Sequence, residues 1–121
     1  MLNLDTHMLV ALLKGDLNEN EERLVRTEQL AISDIVLWEL AKLVQIGRLK
    51  LDLNSAAFRN GLRALNVIPI SCEIAKASTE LDFSSDPADE LIAATSVVEN
   101  IPLLTRDRRI LRSRLVPFPS L

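Results

Sequence analysis

The 121-residue chain has one cysteine, one histidine, no tyrosine, three phenylalanines and one tryptophan. Because Cys72 is alone, neither an internal disulfide nor a cysteine-based metal cage can form, and we expect Cys72 to be a small buried hydrophobe. With only one histidine besides, the softer metal sites lack ligands. The few aromatic residues also exclude a stacking platform of the kind that single-strand-binding proteins use.

The chain has no excess of positive charge. Its formal net charge is -3 and its pI is near 5.1, whereas proteins that coat nucleic acid by bulk charge are usually basic. Any contact with nucleic acid must therefore be local. No apolar run reaches membrane-spanning length, and the first residues have no signal-peptide pattern. We expect a cytoplasmic protein without a membrane partner.

Short apolar runs alternate with helical patterns over residues 1–121, which we interpret as a single domain, since 48% of the residues are hydrophobic. Strands are predicted at residues 2–4, 30–32, 67–70 and 101–105, and Val116 is considered as a fifth. Helices are predicted at residues 6–14, 21–28, 35–45, 55–65, 71–81, between Asp86 and Asn100, and at 108–112. Strands separated by helices predict parallel pairing, hence an α/β fold: a three-layer α/β/α sandwich with a mostly parallel four- to five-stranded sheet covered on both faces.

The stretch from Asp86 to Asp107 carries the clearest local signals. Asp86 is a preferred N-cap, Pro87 suits the first helical position, and Asn100 tolerates the left-handed conformation common after a helix. The apolar run at 101–105 then has strand length. Because ligands bind outside the carboxyl ends of strands in open parallel sheets, Asp107 is predicted to lie where the chemistry occurs.

Four acidic residues could converge at that edge. Asp5 and Asp107 follow predicted strands, and Glu39 and Asp89 lie on early turns of predicted helices. Each alone has a structural explanation as a helix cap, a complement to the helix dipole or a solvated side chain. Together, like charges would require protonation or a cation, and carboxylate oxygens favour Mg²⁺ or Mn²⁺. Such a metal could orient and acidify a water that attacks a phosphodiester.

The acids stand in motifs that resemble one family when they are taken in order. The motifs are Asp-Thr-His at 5–7, Ser-Asp-Ile-Val-Leu-Trp-Glu-Leu-Ala at 33–41, Asp-Pro-Ala-Asp-Glu-Leu-Ile-Ala-Ala-Thr at 86–95 and Leu-Leu-Thr-Arg-Asp at 103–107. This ordered set resembles the PIN-domain family over residues 1 to about 116. Within that family it is most similar to the VapC toxin ribonucleases of VapBC toxin–antitoxin pairs.

The resemblance implies a metal-dependent endoribonuclease, usually a homodimer, that a cognate antitoxin inhibits by placing a peptide against the active cleft. It assigns catalysis and the metal site to Asp5, Glu39, Asp89 and Asp107. It also assigns a supporting hydroxyl to Thr105. Two other functions stay open: a catalytically silent PIN-like protein-binding module, and a metal phosphohydrolase that acts on small phosphate esters.

The sequence departs from the family pattern beside the third acid. Glu90 stands where many relatives have arginine, and this extra negative charge could alter the number of metal ions or the binding of RNA phosphate. Asp86 is a second acid one turn before Asp89. The family pattern favours Asp89 as the ligand and leaves Asp86 as the helix cap.

Hydroxyl groups close to the acids are further candidates. Thr105 and Thr6 could hydrogen-bond the carboxylates or metal-bound waters and so fix the ligand geometry. The alternative, which we favour for Thr6, is a hydrogen bond to nearby backbone. We expect His7 to face solvent rather than to act as a general base, although its ordinary pKa would suit that role.

A local basic patch begins beside Asp107. Its arginines are Arg106, Arg108, Arg109, Arg112 and Arg114. Arg106, Arg108 and Arg109 are candidate RNA-phosphate contacts, whose binding would weaken as salt is added. The alternative is an exposed helix whose arginines pair with surface acids. Lys42, one turn beyond Glu39, could also face the cleft.

Apolar residues of the early helices are expected to lie in the core. They are Leu9, Leu12, Leu13, Leu24 and Trp38. Any of them that stay exposed would form a groove for a partner helix or for a second copy of the chain.

Overall fold

Strands and helices alternate along the whole chain, and the computed structural model describes all 121 residues. The strands are β1 (Leu2–Leu4), β2 (Leu30–Ser33), β3 (Asn66–Ile68) and β4 (Leu103–Leu104). The helices are α1 (Thr6–Lys14), α2 (Glu19–Thr27), α3 (Ile35–Gln45), α4 (Ala56–Arg63), α5 (Cys72–Ala77), α6 (Pro87–Glu99) and α7 (Arg108–Leu111). No helix combines the length and the apolar character needed to cross a bilayer.

The sheet has the order β3-β2-β1-β4, and every pair is parallel. The predicted parallel four-stranded sheet is therefore confirmed, but the fifth strand at Val116 is wrong. The Leu103 N–H does donate to the Pro117 carbonyl at 2.9 Å. Pro117 and Pro119 have no N–H with which to continue a ladder, so the segment runs beside β4 without forming a strand.

The core lies around β1, β2 and β4. Asn3 of β1 is fully buried, and its amide donates to the Ile92 carbonyl and, at 2.9 Å, to the Ser96 hydroxyl. These bonds fix β1 against α6, whose Ala93 and Ala94 are fully buried. The expectation that every strand is covered on both faces is wrong for β3, an edge strand whose Val67 is exposed.

Local chemistry sets most helix ends. The N-cap side chains that accept a backbone N–H are Asp5, Asn18, Ser55, Ser71 and Asp107. Asp86 occupies the predicted N-cap of α6, but its side chain makes no capping hydrogen bond. Asn100 ends α6 in the predicted left-handed conformation, with φ of 54°.

Three predicted core residues lie on the solvent side of their helices. Trp38 is 55% exposed because it stands about 200° around α3 from the buried Val36, at roughly 100° per residue. Cys72 is exposed for the same reason: it lies about 200° around α5 from Ile74, the buried residue of that helix. Leu9 is buried as predicted, whereas Leu13, one turn on, is 48% exposed.

Candidate active site

Asp5 is the most deeply buried of the four predicted acids. It follows β1 and caps α1, with Oδ1 accepting the Met8 N–H at 2.8 Å and Oδ2 accepting the Thr105 hydroxyl at 2.5 Å. Burial raises the pKa of Asp5, and the charge of Asp89 raises it further, against the hydrogen bonds from Thr105 and Met8 that favour the carboxylate. The carboxylate is thus held in one orientation in a place that disfavours its charge.

Thr105 connects two of the acids. It directly follows β4 and is buried; its hydroxyl donates to Asp5 and accepts the Asp107 N–H at 3.1 Å. Asp107 caps α7, with Oδ1 accepting the Arg109 N–H at 2.8 Å. Because β1 and β4 are neighbours on the side where the strand order reverses, both acids flank the topological switch point of the sheet.

Glu39 and Asp89 reach the same edge from helices. Glu39 on α3 accepts the Thr6 hydroxyl, and Asp89 in the first turn of α6 accepts the Ser85 hydroxyl at 3.1 Å. Burial raises the pKa of Glu39, with added repulsion from Asp89 and Asp5. Burial also raises the pKa of Asp89, with repulsion from the neighbouring acids including Asp107. The four acids therefore share one electrostatic environment.

The arrangement around the acids is open and polar. His7 is exposed, as predicted, and lines each of three surface depressions: one with Asp5 and Asp107, one with Glu39 and Asp89, and one with Asp89 and Asp107. No group of three or more His, Cys, Asp or Glu side chains lies close enough together to hold a metal ion. The shared depressions and the mutual effects on pKa place the four acids along one rim, and the metal site that they were predicted to form stays a prediction.

The predicted arginines separate into two groups. Arg106 is bound to Glu21 of α2, at 2.9 Å from Nε to Oε2 and 2.5 Å from Nη2 to Oε1, and also donates to the Asp16 carbonyl. These bonds occupy its guanidinium, which argues against the predicted RNA contact. Arg108 and Arg109 instead line the polar depression that contains Asp89 and Asp107.

Two residues around the site were not predicted from the sequence. Glu21 is buried, and Arg106 holds its pKa below the usual range, chiefly through the hydrogen bond. The capping-box spacing from Asn18 to Glu21 could have indicated the cap, but nothing local indicates a partner 85 residues away. Ser85 donates its hydroxyl to Asp89, and no sequence pattern indicates this contact either.

Comparisons with known proteins identify the family of the chain. Residues 3–114 match the PIN domain family. The chain is 34% identical over 95 residues to Ribonuclease VapC22 of Mycobacterium tuberculosis, an alignment that covers 76% of this chain and 72% of that protein. The resemblance drawn from the motifs is thereby confirmed.

Solved structures extend the likeness over the whole fold. A chain in the crystal structure of VapBC2 from Rickettsia felis, bound to a DNA fragment from their promoter, superposes with a TM-score of 0.76 at 25% identity, covering 100% of this chain and 99% of that one. A chain in a toxin–antitoxin complex from Klebsiella pneumoniae has the same fold, with a TM-score of 0.71 at 23% identity, covering 93% and 91%.

Proposed function

The chain belongs to the PIN-domain family, and from this premise we propose that it is an endoribonuclease, the toxin of a toxin–antitoxin pair. The observation that carries the proposal is the shared rim of Asp5, Glu39, Asp89 and Asp107 at the switch point of the sheet. A relative of 34% identity that is named a ribonuclease supports the choice of RNA as substrate.

The chemistry of the donors at this rim, all of them carboxylate oxygens, suits a divalent cation. Asp5, Glu39, Asp89 and Asp107 make no ion pair with a lysine or arginine, although the chain forms ion pairs elsewhere. Their mutual repulsion would be relieved by a cation, and an all-oxygen set suits Mg²⁺ or Mn²⁺. Ribonucleases of this family are generally metal-dependent. When bound, such an ion would supply activation of a water and neutralisation of charge on the phosphate.

The chain's own residues would orient these groups. The Thr105 hydroxyl fixes Asp5 and the backbone of Asp107, the Thr6 hydroxyl fixes Glu39, and Ser85 fixes Asp89. Hydroxyl groups that fix ligand carboxylates in this way set the geometry and basicity of a site. The sequence analysis favoured a hydrogen bond from Thr6 to nearby backbone. Because the Thr6 hydroxyl donates to Glu39 instead, we assign it a supporting role at the site.

RNA phosphates would be held on the α7 side of the rim. Arg108, Arg109 and Arg112 line the polar depression that includes Asp89 and Asp107, so cations stand beside the acids on a chain whose net charge is -3. Binding through these arginines should weaken as salt is added, because each phosphate contact releases counterions. Arg106 is left out of this set because Glu21 binds its guanidinium.

Besides the peptide expected against the active cleft, a helix of the antitoxin would bind in an apolar groove between α1 and α4. The groove holds about 150 Å³ and is lined almost wholly by apolar side chains, among them Leu9, Leu12, Leu13, Phe58 and Leu62. Grooves of this kind accept the apolar face of an amphipathic helix. We also propose that the chain forms a homodimer, and we expect gel filtration to show a dimer.

Cleavage of a structured RNA by the purified chain, freed of any partner, tests the function. We expect cleavage only with Mg²⁺ or Mn²⁺, and we expect Asp5→Asn and Asp89→Asn to abolish it while circular dichroism shows an unchanged fold. Glu99→Gln at the far end of α6 is the matched control, since it removes an exposed carboxylate from the same helix as Asp89.

The same assay separates the other functions. Intact RNA at high protein concentration, with native folding and metal present, would refute the enzyme and favour a binding module. Hydrolysis of a small phosphate ester without RNA cleavage would favour a phosphohydrolase. Cleavage that persists in both acid variants would show that the rim is not the active site.

A further inference from the structure

An aromatic side chain stands in solvent next to one of the acids. Trp38, the single tryptophan of the chain, directly precedes Glu39 on α3 and is 55% exposed. An exposed tryptophan is a candidate contact for a ligand or a partner, because its ring offers a large contact area. Its position follows from α3 burying Val36 and Leu40 on the opposite side.

Trp38 shares a depression with the acid rim. The depression holds about 120 Å³, and its lining includes Trp38, His7, Glu39, Lys42 and Asp89. The indole and two of the four acids thus border one space. A ligand that fills this space against the ring would lie beside the carboxylates.

A cation accompanies the ring. Lys42, one turn further along α3, places Nζ 5.6 Å from the centroid of the Trp38 ring, within the range of a cation–π contact. The same Nζ makes a long 3.3 Å hydrogen bond to Gln45 and forms no ion pair with an acid. An exposed aromatic ring and an ammonium group without an acidic partner therefore stand together, and they suit the base and the phosphate of a nucleotide.

We infer that Trp38 and Lys42 form a nucleotide subsite in which the indole stacks on one base of the RNA next to the cleaved phosphodiester, while Lys42 contacts a phosphate. The inference rests on the proposed ribonuclease function. One ring serves one base, which agrees with a chain too poor in aromatic residues for an extended stacking platform. Ile46 on the same helix is 59% exposed, so a second copy of the chain is the competing occupant. The ammonium group beside the ring, which can pair with a phosphate, favours RNA.

Trp38 fluorescence reports directly on this subsite, because the chain has no other tryptophan. A single-stranded RNA hexanucleotide is added to the full chain in chelator, which prevents cleavage, and is compared with an abasic ribose-phosphate oligomer of equal length and charge. We expect the base-bearing RNA to quench the fluorescence and the abasic oligomer to leave it nearly unchanged. Equal responses would show that only phosphates bind, and would overturn the inference.

Steady-state cleavage with metal supplies the second readout. Trp38→Leu keeps the apolar bulk without a π face and should raise KM by roughly 5- to 150-fold at unchanged kcat, the range that base stacking contributes. Trp38→Phe keeps a π face and should recover most of that loss. Lys42→Gln should lower the salt slope of RNA binding by about 0.7.

The outcomes separate a failure of the nucleotide subsite from a failure of the proposed ribonuclease function. Cleavage with equal KM in the unaltered chain, Trp38→Leu and Trp38→Phe would overturn the subsite and leave the ribonuclease standing. Failure of the unaltered chain to cleave would refute the ribonuclease and the subsite with it. A Trp38→Leu variant that changes from dimer to monomer in sedimentation, with RNA binding unchanged, would assign the ring to a protein interface and overturn the inference.

Discussion

Replacing Arg106 by glutamine is expected to weaken the fold rather than the binding of RNA. The bidentate pair of Arg106 with Glu21 joins the end of β4 to α2. The Glu21 side chain is 6% exposed and that of Arg106 is 50% exposed. Without the guanidinium, the Glu21 carboxylate would keep only the bond from the backbone N–H of Asn18, at 3.0 Å.

The magnitude lies between two limits. Removing one partner of a fully buried pair costs about 3–5 kcal/mol, whereas exposed pairs contribute about 0.2–1 kcal/mol. Because water reaches about half of the Arg106 side chain and screens the pair, we expect Arg106→Gln to lower the free energy of unfolding by about 1–2.5 kcal/mol.

The loss should depend on pH. Arg106 lowers the pKa of Glu21, chiefly through the hydrogen bond. The contribution of the pair is therefore fully present above the unfolded pKa of about 4.3 and is lost as the pH falls through the lower folded pKa. Urea unfolding of the unaltered chain and of Arg106→Gln, measured from neutral to acidic pH, should give a difference that is largest at neutral pH and shrinks in acid.

Glu21→Gln is the matched control, because its amide oxygen can keep the bond from Asn18 while the charge is removed. In the double-mutant cycle we expect a coupling free energy of about 1–2 kcal/mol at neutral pH. Equal stability of Arg106→Gln and the unaltered chain, or a difference that does not change with pH, would refute the reasoning. A loss of RNA affinity with unchanged stability would return Arg106 to the RNA-binding residues.

Three further predictions follow from single contacts. Thr105→Val should slow RNA cleavage about 10- to 100-fold, since valine lacks the hydroxyl that holds Asp5 and Asp107; Thr105→Ser should cleave normally in the same initial-rate assay. Asp89→Asn should raise the free energy of unfolding in metal-free buffer at neutral pH, because burial and then repulsion from Asp107 raise the folded pKa of Asp89. The stability of the unaltered chain should accordingly rise as the pH falls through that raised pKa, and added Mn²⁺ should raise the melting temperature of the unaltered chain alone; equal shifts in both proteins would contradict this. Asn100→Ala should cost about 1 kcal/mol in thermal unfolding, since alanine is strained at the φ of 54° that Asn100 adopts, whereas Asn100→Gly should not.

The sequence alone determined the features whose causes are local. The bounds of α1 and α3 agree with the predicted ones, because apolar spacing and turn residues act within a few positions. The position of Asp5 and Asp107 at one sheet edge was predictable for the same reason, because each follows an apolar run and parallel strands bring such positions to one edge. The order of the motifs also sufficed to indicate the family.

Tertiary structure alone decided which side chains meet and which stay in water. The partner of Arg106, the hydroxyl that holds Asp89 and the exposure of Trp38 all depend on elements distant in sequence. Periodicity predicts one apolar face for a helix, but α3 has apolar residues around most of its circumference. Its packing against β2 and α6 buries Val36 and Leu40 and leaves Trp38 exposed. Burial and ion pairing are properties of surfaces that form only when remote segments come together, and no local pattern encodes them.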